Sequence, residues 1–453
     1  MTRAEKRAAS GLAAIFGLRM LGMFLILPVF TLYAAHLPGG DNQLLVNLSF
    51  SIYGLTQAIL LIPFGMASDR FGRKKVIVLG LILFALGSFV AAAATDIYWT
   101  LFGRALAGAG AISAAVTAML ADLTREEHRT KAMALIGSTI GITFAVSLVA
   151  APVLNRVIGV PGIFALTGVL ALVAIWVVKV WVPDPAASRF HADAQVNPAK
   201  LKDMLRDRQL LRLDFGIFAL HAAQVAMFMV VPVALKDSGL AADHQWAVYL
   251  PVLLGSFALM VPAIIYGEKR GKMKPVFVGA VALMLAAQIG LAFGIGHFWG
   301  IVWSLFVYFV AFNLLEASLP SLVSKLAPAS AKGTAMGVYN TSQALGVFFG
   351  GVFSGWLAEH HGSPAVFLFS VGLMAAWLVA SLSMTTPPAI KTRMFRVGVM
   401  PADQAALLKA QLAAVAGVVE AVVLADEGVA MLKVSLQGWD EARAMSLLET
   451  AAA

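Results

Sequence analysis

Uncharged or nearly uncharged apolar runs of about 20 residues recur from residue 11 to residue 385. Nothing else constrains the fold of this chain as strongly. A helical run of that length crosses roughly 30 Å of hydrocarbon. Twelve spans are predicted, near 11–34, 44–66, 75–95, 98–121, 131–154, 162–182, 211–235, 245–266, 275–296, 298–320, 334–358 and 364–385. The chain is 60% hydrophobic and 13% charged, far from a soluble globular composition. The first run has no small-residue cleavage pattern after it, and further spans follow closely, so it reads as a retained helix rather than a signal peptide.

The net charge of +9 does not point to nucleic acid, because Lys and Arg concentrate in the short loops on one predicted side. Arg3, Lys6 and Arg7 precede span 1; Arg70, Arg73, Lys74 and Lys75 follow span 2; Arg125, Arg129 and Lys131 follow span 4. Lys269, Arg270, Lys272 and Lys274 follow span 8, and Lys325 and Lys332 follow span 10. Both termini are therefore expected on the cytoplasmic side of the membrane. Residues 183–210 form the only long polar internal connection and divide six spans (1–182) from six (211–385). With no cysteine in the chain, disulfides and thiolate metal sites are excluded. No metal site or cofactor is expected, and without a nucleotide-binding motif ATP-driven transport is disfavoured.

Between spans 2 and 3 lies Gly65-Met-Ala-Ser-Asp69-Arg70-Phe71-Gly72-Arg73-Lys74-Lys75. A weaker copy, Glu268-Lys269-Arg270-Gly271-Lys272-Met273-Lys274, occupies the matching place between spans 8 and 9. Internal repeats of this kind characterise secondary transporters, whose substrate site lies between the repeats. After Thr386-Pro387-Pro388 the pattern changes. A strand over 393–400, a helix over 402–416, strands over 418–424 and 429–436 around Asp426-Glu427-Gly428, and a helix over 439–451 are predicted. That βαββα order suggests a small cytoplasmic α+β ferredoxin-like domain over 390–453 that lacks its last strand.

Six plus six spans with Gly65…Lys75 in the second loop resemble the major facilitator superfamily. The loop matches that superfamily's first signature, Gly-x-x-x-Asp-Arg-x-Gly-Arg-Lys-Lys, at every defining position, and the resemblance covers residues 11–385. It implies an all-α fold of two six-helix bundles with spans 1, 4, 7 and 10 lining a central cavity, and proton-driven movement of small molecules. It also implies a conformational latch: Asp69 near the N-terminus of span 11, around Gly333, and Arg73 paired with Asp122, with Gly65, Arg70 and Gly72 shaping the loop. A carboxylate there would meet the positive end of a helix dipole. The competing reading is a solvated loop that serves topology only, which has no use for Asp69 or Gly72. The antiporter signature of span 5 is partial: Gly137 and Gly141 are spaced correctly, but Pro152 is distant.

Ionisable residues within spans are costly and usually face a cavity. Arg19, Arg104, His221 and Glu316 fall in spans 1, 4, 7 and 10. Glu316 is the leading proton carrier, with Asn313 one turn earlier on the same helix face as a possible hydrogen-bond donor. His221, with Gln224 one turn on, is the second candidate; a neutral histidine bonded to a backbone carbonyl is the plain alternative. Arg104, in Arg104-Ala-Leu-Ala-Gly108-Ala-Gly110, resembles the superfamily's span 4 signature, which implies a part in proton coupling; a structural arginine bonded to carbonyls competes with it. Arg19 either faces the cavity or snorkels. Tyr53 with Gln57 and Asn340 with Gln343 are candidate polar patches on the cavity wall, and Met23, Phe24 and Phe312 candidate apolar ones.

The expected function is proton-coupled secondary active transport by alternating access, as an efflux antiporter for small molecules. A symporter, or a membrane sensor acting through the C-terminal domain, is the alternative. The partners are a small-molecule substrate, protons and membrane lipid. The C-terminal domain, which has no histidine and so lacks a soft-metal site, is a regulatory, ligand-binding or self-association module, or an inert appendage.

Overall fold

The computed structural model describes residues 1–184, 195–386, 390–425, 428–435 and 438–452. Pro387, Pro388, Asp426, Glu427 and residues 185–194 of the long connection lie outside them. The first helix, α1 (Arg3–Phe24), opens with a capping box in which the Thr2 hydroxyl accepts from the Glu5 amide and Glu5 answers at the Thr2 amide. A turn and the short α2 (Phe30–Ala34) follow. α3 (Gln43–Phe71) is capped by the Asn42 side chain and ends at Gly72, whose φ of 99° lets the chain reverse directly into α4 (Arg73–Ala92).

Predicted span 4 is broken around Gly108–Gly110 into α5 (Ile97–Gly108) and α6 (Ser113–Leu123). α7 (Glu126–Trp176) holds both predicted spans 5 and 6, which meet at Gly159 with φ of 66°. After the connection come α8 (Pro198–Met204), α9 (Arg208–Asp237), α10 (Trp246–Lys269), α11 (Met273–Gly294), α12 (Phe298–Leu326), α13 (Lys332–His361) and α14 (Ser363–Leu382).

Nine helical stretches among the described residues are long and apolar enough to cross a membrane. One of them, Lys131–Trp181, spans 51 residues across the Gly159 break. α1 and α13 are outside the nine. Their sequences are richer in charged, small and hydroxyl-bearing residues because they pack inside: the α1 face from Ala8 to Phe24 is largely buried, and α13 buries a row of Gly, Ser and Thr.

α1 packs on α7, α4 on α5 and α7, and α3 on α5; in the second half α11 packs on α12 and α14, and α9 on α13. The halves meet chiefly where the first part of α3 lies along the last part of α13. Small residues make this approach possible. A Cβ on Gly54 would sit 2.6 Å from the Ala344 carbonyl oxygen, and one on Gly351 would sit 2.4 Å from the Ser51 Cβ. Asn47 Nδ2 donates to Ser354 Oγ at 3.4 Å across the same seam.

Beyond the helices lie β1 (Ile390–Arg396), α15 (Ala402–Ala413), β2 (Val418–Leu424), β3 (Val429–Ser435) and α16 (Glu441–Ala452). The strands form an antiparallel sheet in the order β1-β3-β2. β1 starts three residues before the predicted strand and ends before it, because pairing runs from Ile390 opposite Ser435 to Arg396 opposite Val429 and the chain turns at Gly398, φ 77°. On β3, Ala430, Leu432 and Val434 face Leu408, Leu412, Ala444 and Leu448, while Val429 and Met431 join a separate cluster with Met394, Val422 and Leu424. The alternation expected of a strand thus gives two faces, and both are buried on β3.

Candidate functional site

At the end of the molecule where α3 turns into α4, Arg73 is held from three sides. Its Nε donates to Asp122 Oδ2 at 3.0 Å, and its Nη1 donates to Ser68 Oγ at 2.8 Å and to Asp69 Oδ1. The Arg73 and Asp122 side chains are 1% and 0% exposed, whereas Asp69 is 38% exposed. The expected Arg73–Asp122 pair is present. The expected approach of Asp69 to the start of α13 is not direct, because the end of the long connection comes between. Asp69 and Met66 share a groove with Val196, Asn197 and Pro198. The Gln195 backbone packs on Gly333, where a Cβ would fall 2.2 Å from the Gln195 oxygen, and the Asn197 amide donates to Thr334 Oγ1 at 2.9 Å. Arg70 is exposed over the Phe71 ring. Gly65 faces Ala114, whose Cβ would lie 3.3 Å from one added at Gly65.

On the same end, Glu5 accepts from Arg125 Nε at 2.9 Å and from the Arg125 amide at 3.1 Å. The Arg125 hydrogen bond lowers the Glu5 carboxyl from 4.5 to about 2, against the opposing pull of burial. Neither partner stands out in the sequence, since Glu5 is one acidic residue in the first turn of α1 and Arg125 belongs to a loop whose positive charges speak for topology.

Arg19 and Arg104 both lie against Tyr53, inside the first half. Arg19 Nη2 donates to the Tyr53 hydroxyl at 2.7 Å, and its guanidinium sits 5.9 Å from the Tyr53 and Phe84 rings. Arg104 Nη2 donates to the Phe50 carbonyl at 3.1 Å, and its guanidinium sits 4.9 Å from the Tyr53 ring. Arg19 is 1% exposed, so it does not snorkel. Tyr53 is buried and turned toward the two arginines, so it does not share a cavity patch with the half-buried Gln57; the i, i+4 spacing left room for both arrangements.

The second constellation joins α9, α12 and α13. His221 Nε2 lies 2.7 Å from Gln343 Nε2 and 3.9 Å from Glu316 Oε2, while His221 Nδ1 lies 3.2 Å from the Ile217 carbonyl oxygen. The backbone bond fixes the ring edge-on, so its other nitrogen faces α12 and α13. Glu316 keeps 29% side-chain exposure. Its Oε2 and the hydroxyls of Tyr308 and Tyr339 are buried with no hydrogen-bond partner among the described residues. Asn313 does not serve Glu316 as expected: its Nδ2 donates to Ser256 Oγ of α10 at 2.9 Å. Gln224 is buried without contacting His221's free edge, which Gln343 occupies; Asn340 is half-buried.

One turn from Glu316, an aromatic plug closes the space between the halves. Phe144 of α7 packs on Phe312 at 5.6 Å, Phe309 at 6.2 Å and Phe228 at 6.4 Å, and on Phe24 of its own half at 5.1 Å. Phe24 and Phe312, read as candidate wall residues, belong to this plug; Met23 is half-buried beside Tyr53 and Phe84. The sequence did not single out Phe144, because a phenylalanine in an apolar run carries no signal of which helix it meets.

A family model described as the Major Facilitator Superfamily matches residues 12–351 and 245–422. The inner membrane transport protein YajR of Escherichia coli (strain K12) is 43% identical over 437 residues, 96% of this chain and 95% of that one. Multidrug resistance protein 2 of Bacillus subtilis (strain 168) is 25% identical over 379 residues, 79% of this chain and 92% of that one. The crystal structure of the human organic anion transporter MFSD10 shares the fold with a TM-score of 0.62 at 18% identity, covering 84% of this chain and all of the other.

Proposed function

The chain belongs to the major facilitator superfamily, and from that premise we propose that it is a proton-coupled antiporter exporting small molecules by alternating access. As a member of that superfamily it is a membrane transporter and not an enzyme. One observation carries the finer reading: Glu316 stands beside His221, on an open face next to a plug that seals the halves. A carboxylate so placed loses and gains a proton in step with solvent access from one side only. Gln343 holds the His221 edge that faces Glu316, and proton binding at Glu316 changes the charge facing His221. Arg104 and Arg19 hold the other half's charge in place around Tyr53. Resemblance to a multidrug resistance protein supports efflux as the direction.

We read twelve spans in two six-helix bundles, 1–182 and 211–385, joined by 183–210. α1 and α13 serve as the inner spans, and α7 supplies two spans through its Gly159 break. The Lys and Arg distribution puts both termini and the Asp69 end on the cytoplasmic side of the inner membrane. The halves are then closed outside, along α3 and α13, with Glu316 reached from the cytoplasm. On this reading the Asp69–Arg73–Asp122 cluster is the cytoplasmic latch of the opposite state, and residues 390–453 form a cytoplasmic domain of ferredoxin-like pattern.

The test is substrate-dependent proton movement in proteoliposomes, comparing the intact chain with Glu316→Gln over a panel of candidate drugs and metabolites. Glu316→Gln is expected to abolish proton movement while the protein still binds substrate. Proton movement unchanged by the substitution overturns the assignment.

A further inference from the structure

The face of the C-terminal sheet that its own helices leave uncovered is not free. Val429, Met431 and Lys433 of β3 lie on that face and are all nearly buried. β1 packs on α7 of the first half and on α12 of the second, and β2 and β3 reach the 310 turn Ala329–Ala331 between α12 and α13. Lys332 Nζ donates to Thr392 Oγ1 of β1 at 2.8 Å. At the centre, Lys433 is 4% exposed. Its Nζ donates to the Ala327 carbonyl at 2.5 Å and the Lys325 carbonyl at 3.3 Å, and pairs with Glu420 at 2.9 Å. Those carbonyls are the unsatisfied acceptors at the C-terminus of α12, where a cation is favoured by both hydrogen bonding and the helix dipole. A buried ammonium gripping a helix end is a costly arrangement to build by chance.

The gripped end is the short leg of α12 beyond Pro320. Proline has no N–H, so the helical bond that would run from residue 320 to the carbonyl of residue 316 is missing. That carbonyl belongs to Glu316. The helix is therefore weakest at the turn carrying the proposed proton carrier, and the leg below that turn is the part held by Lys433.

We propose that Lys433 is a positioning residue for Glu316: the C-terminal domain, through Lys433, sets the angle of the Pro320–Leu326 leg and with it the placement of the Glu316 turn. The inference rests on the reading of Glu316 as proton carrier. Around Glu316 the titratable groups are His221 of α9, Tyr308 of α12 itself and Tyr339 of α13, which also interacts with Asp214 of α9. Lys433 touches none of them, so any effect it has on proton binding is transmitted along α12.

The chain's lack of cysteine makes the experiment direct. Spin labels at Lys75→Cys and Arg270→Cys, exposed sites in the corresponding loops of the two halves, report their separation as pH is varied in nanodiscs. Glu316→Gln is expected to remove the pH-dependent transition; if the transition persists, the Glu316 reading fails. If Glu316→Gln removes it, Lys433→Met is expected to shift its midpoint by about half a pH unit or more, with Lys433→Arg restoring it. Circular dichroism and an unchanged melting profile of the sheet domain establish that Lys433→Met is folded. A folded Lys433→Met whose transition superimposes on the unsubstituted chain overturns the proposal, as does a shift that Lys433→Arg reproduces in full. Should Lys433→Met not fold, Lys433→Gln, which keeps an N–H donor but removes the charge at the α12 carbonyls, is read in its place, and an unshifted midpoint there overturns the proposal equally.

Discussion

Arg73 is almost wholly buried, and its two carboxylate partners differ sharply in exposure. Asp122 is 0% exposed and Asp69 is 38% exposed. Removing the charge of a buried partner leaves a desolvated cation behind, which costs about 3–5 kcal/mol, while a half-solvated pair contributes about 0–1 kcal/mol. Asp122→Asn is therefore expected to lower the melting temperature in detergent clearly, and Asp69→Asn only slightly. Equal losses would mean that Asp69 is more than a solvated partner of Arg73. Glu5 gives a prediction in pH. Its folded carboxyl is lowered from 4.5 to about 2, so its contribution is present above 4.5 and is lost as the pH falls toward 2. In Glu5→Gln the acid side of the stability curve is expected to flatten across that window; a curve parallel to the unsubstituted chain would remove Glu5 from the account.

At the scale of elements, what the sequence disclosed depends on whether one helix or two must be known. The pairing of Arg73 with Asp122 is implied by the resemblance of Gly65–Lys75 to the superfamily's loop signature, and the two meet at 3.0 Å. Glu316 could be picked out as an ionisable group in an apolar run. Its neighbours could not. Helical spacing puts Asn313 on the face of Glu316, but the face of α12 that meets α10 decides the bond, and Asn313 goes to Ser256. Lys433 was read as one residue of a strand, since alternation shows that a position is buried but not which element covers it. Gly346 and Gly350 of α13 meet α9, while Gly351 and Gly355 meet α3, partners that the spacing of glycines along one helix does not name. Gly351→Val would place its branches where Ser51 Cβ lies 2.4 Å from a bare Cβ, in a seam of backbone and small side chains that has no flexible end to yield. The substitution is expected to open the α3–α13 end, lengthening a spin-label distance across it and shortening the Lys75–Arg270 distance at the other.

For the whole molecule, the question is whether the α3–α13 seam must part in each cycle. The seam is held by close backbone approach and one weak polar contact, Asn47 to Ser354 at 3.4 Å, with Leu44's amide donating to Glu359 at 3.2 Å at its rim. No buried ion pair among the described residues spans it, so its separation exposes small side chains rather than stranded charge; at the opposite end the Arg73 cluster is already formed within the first half, and its part-exposed member, Asp69, is the group placed to meet the second half in the other state. Two ends that compete for closure are what alternating access needs, since the molecule then exchanges one set of contacts for another at modest net cost. Asn47→Cys with Ser354→Cys, in a chain with no other cysteine, brings two thiols to this seam. Oxidation is expected to stop transport in proteoliposomes almost completely, with Glu316 still able to bind protons from the latch side, and reduction to restore it. The single-cysteine proteins should be indifferent to oxidant. If the cross-linked protein still moves substrate, the seam does not part during transport, and the halves of this chain do not alternate about the interface described here.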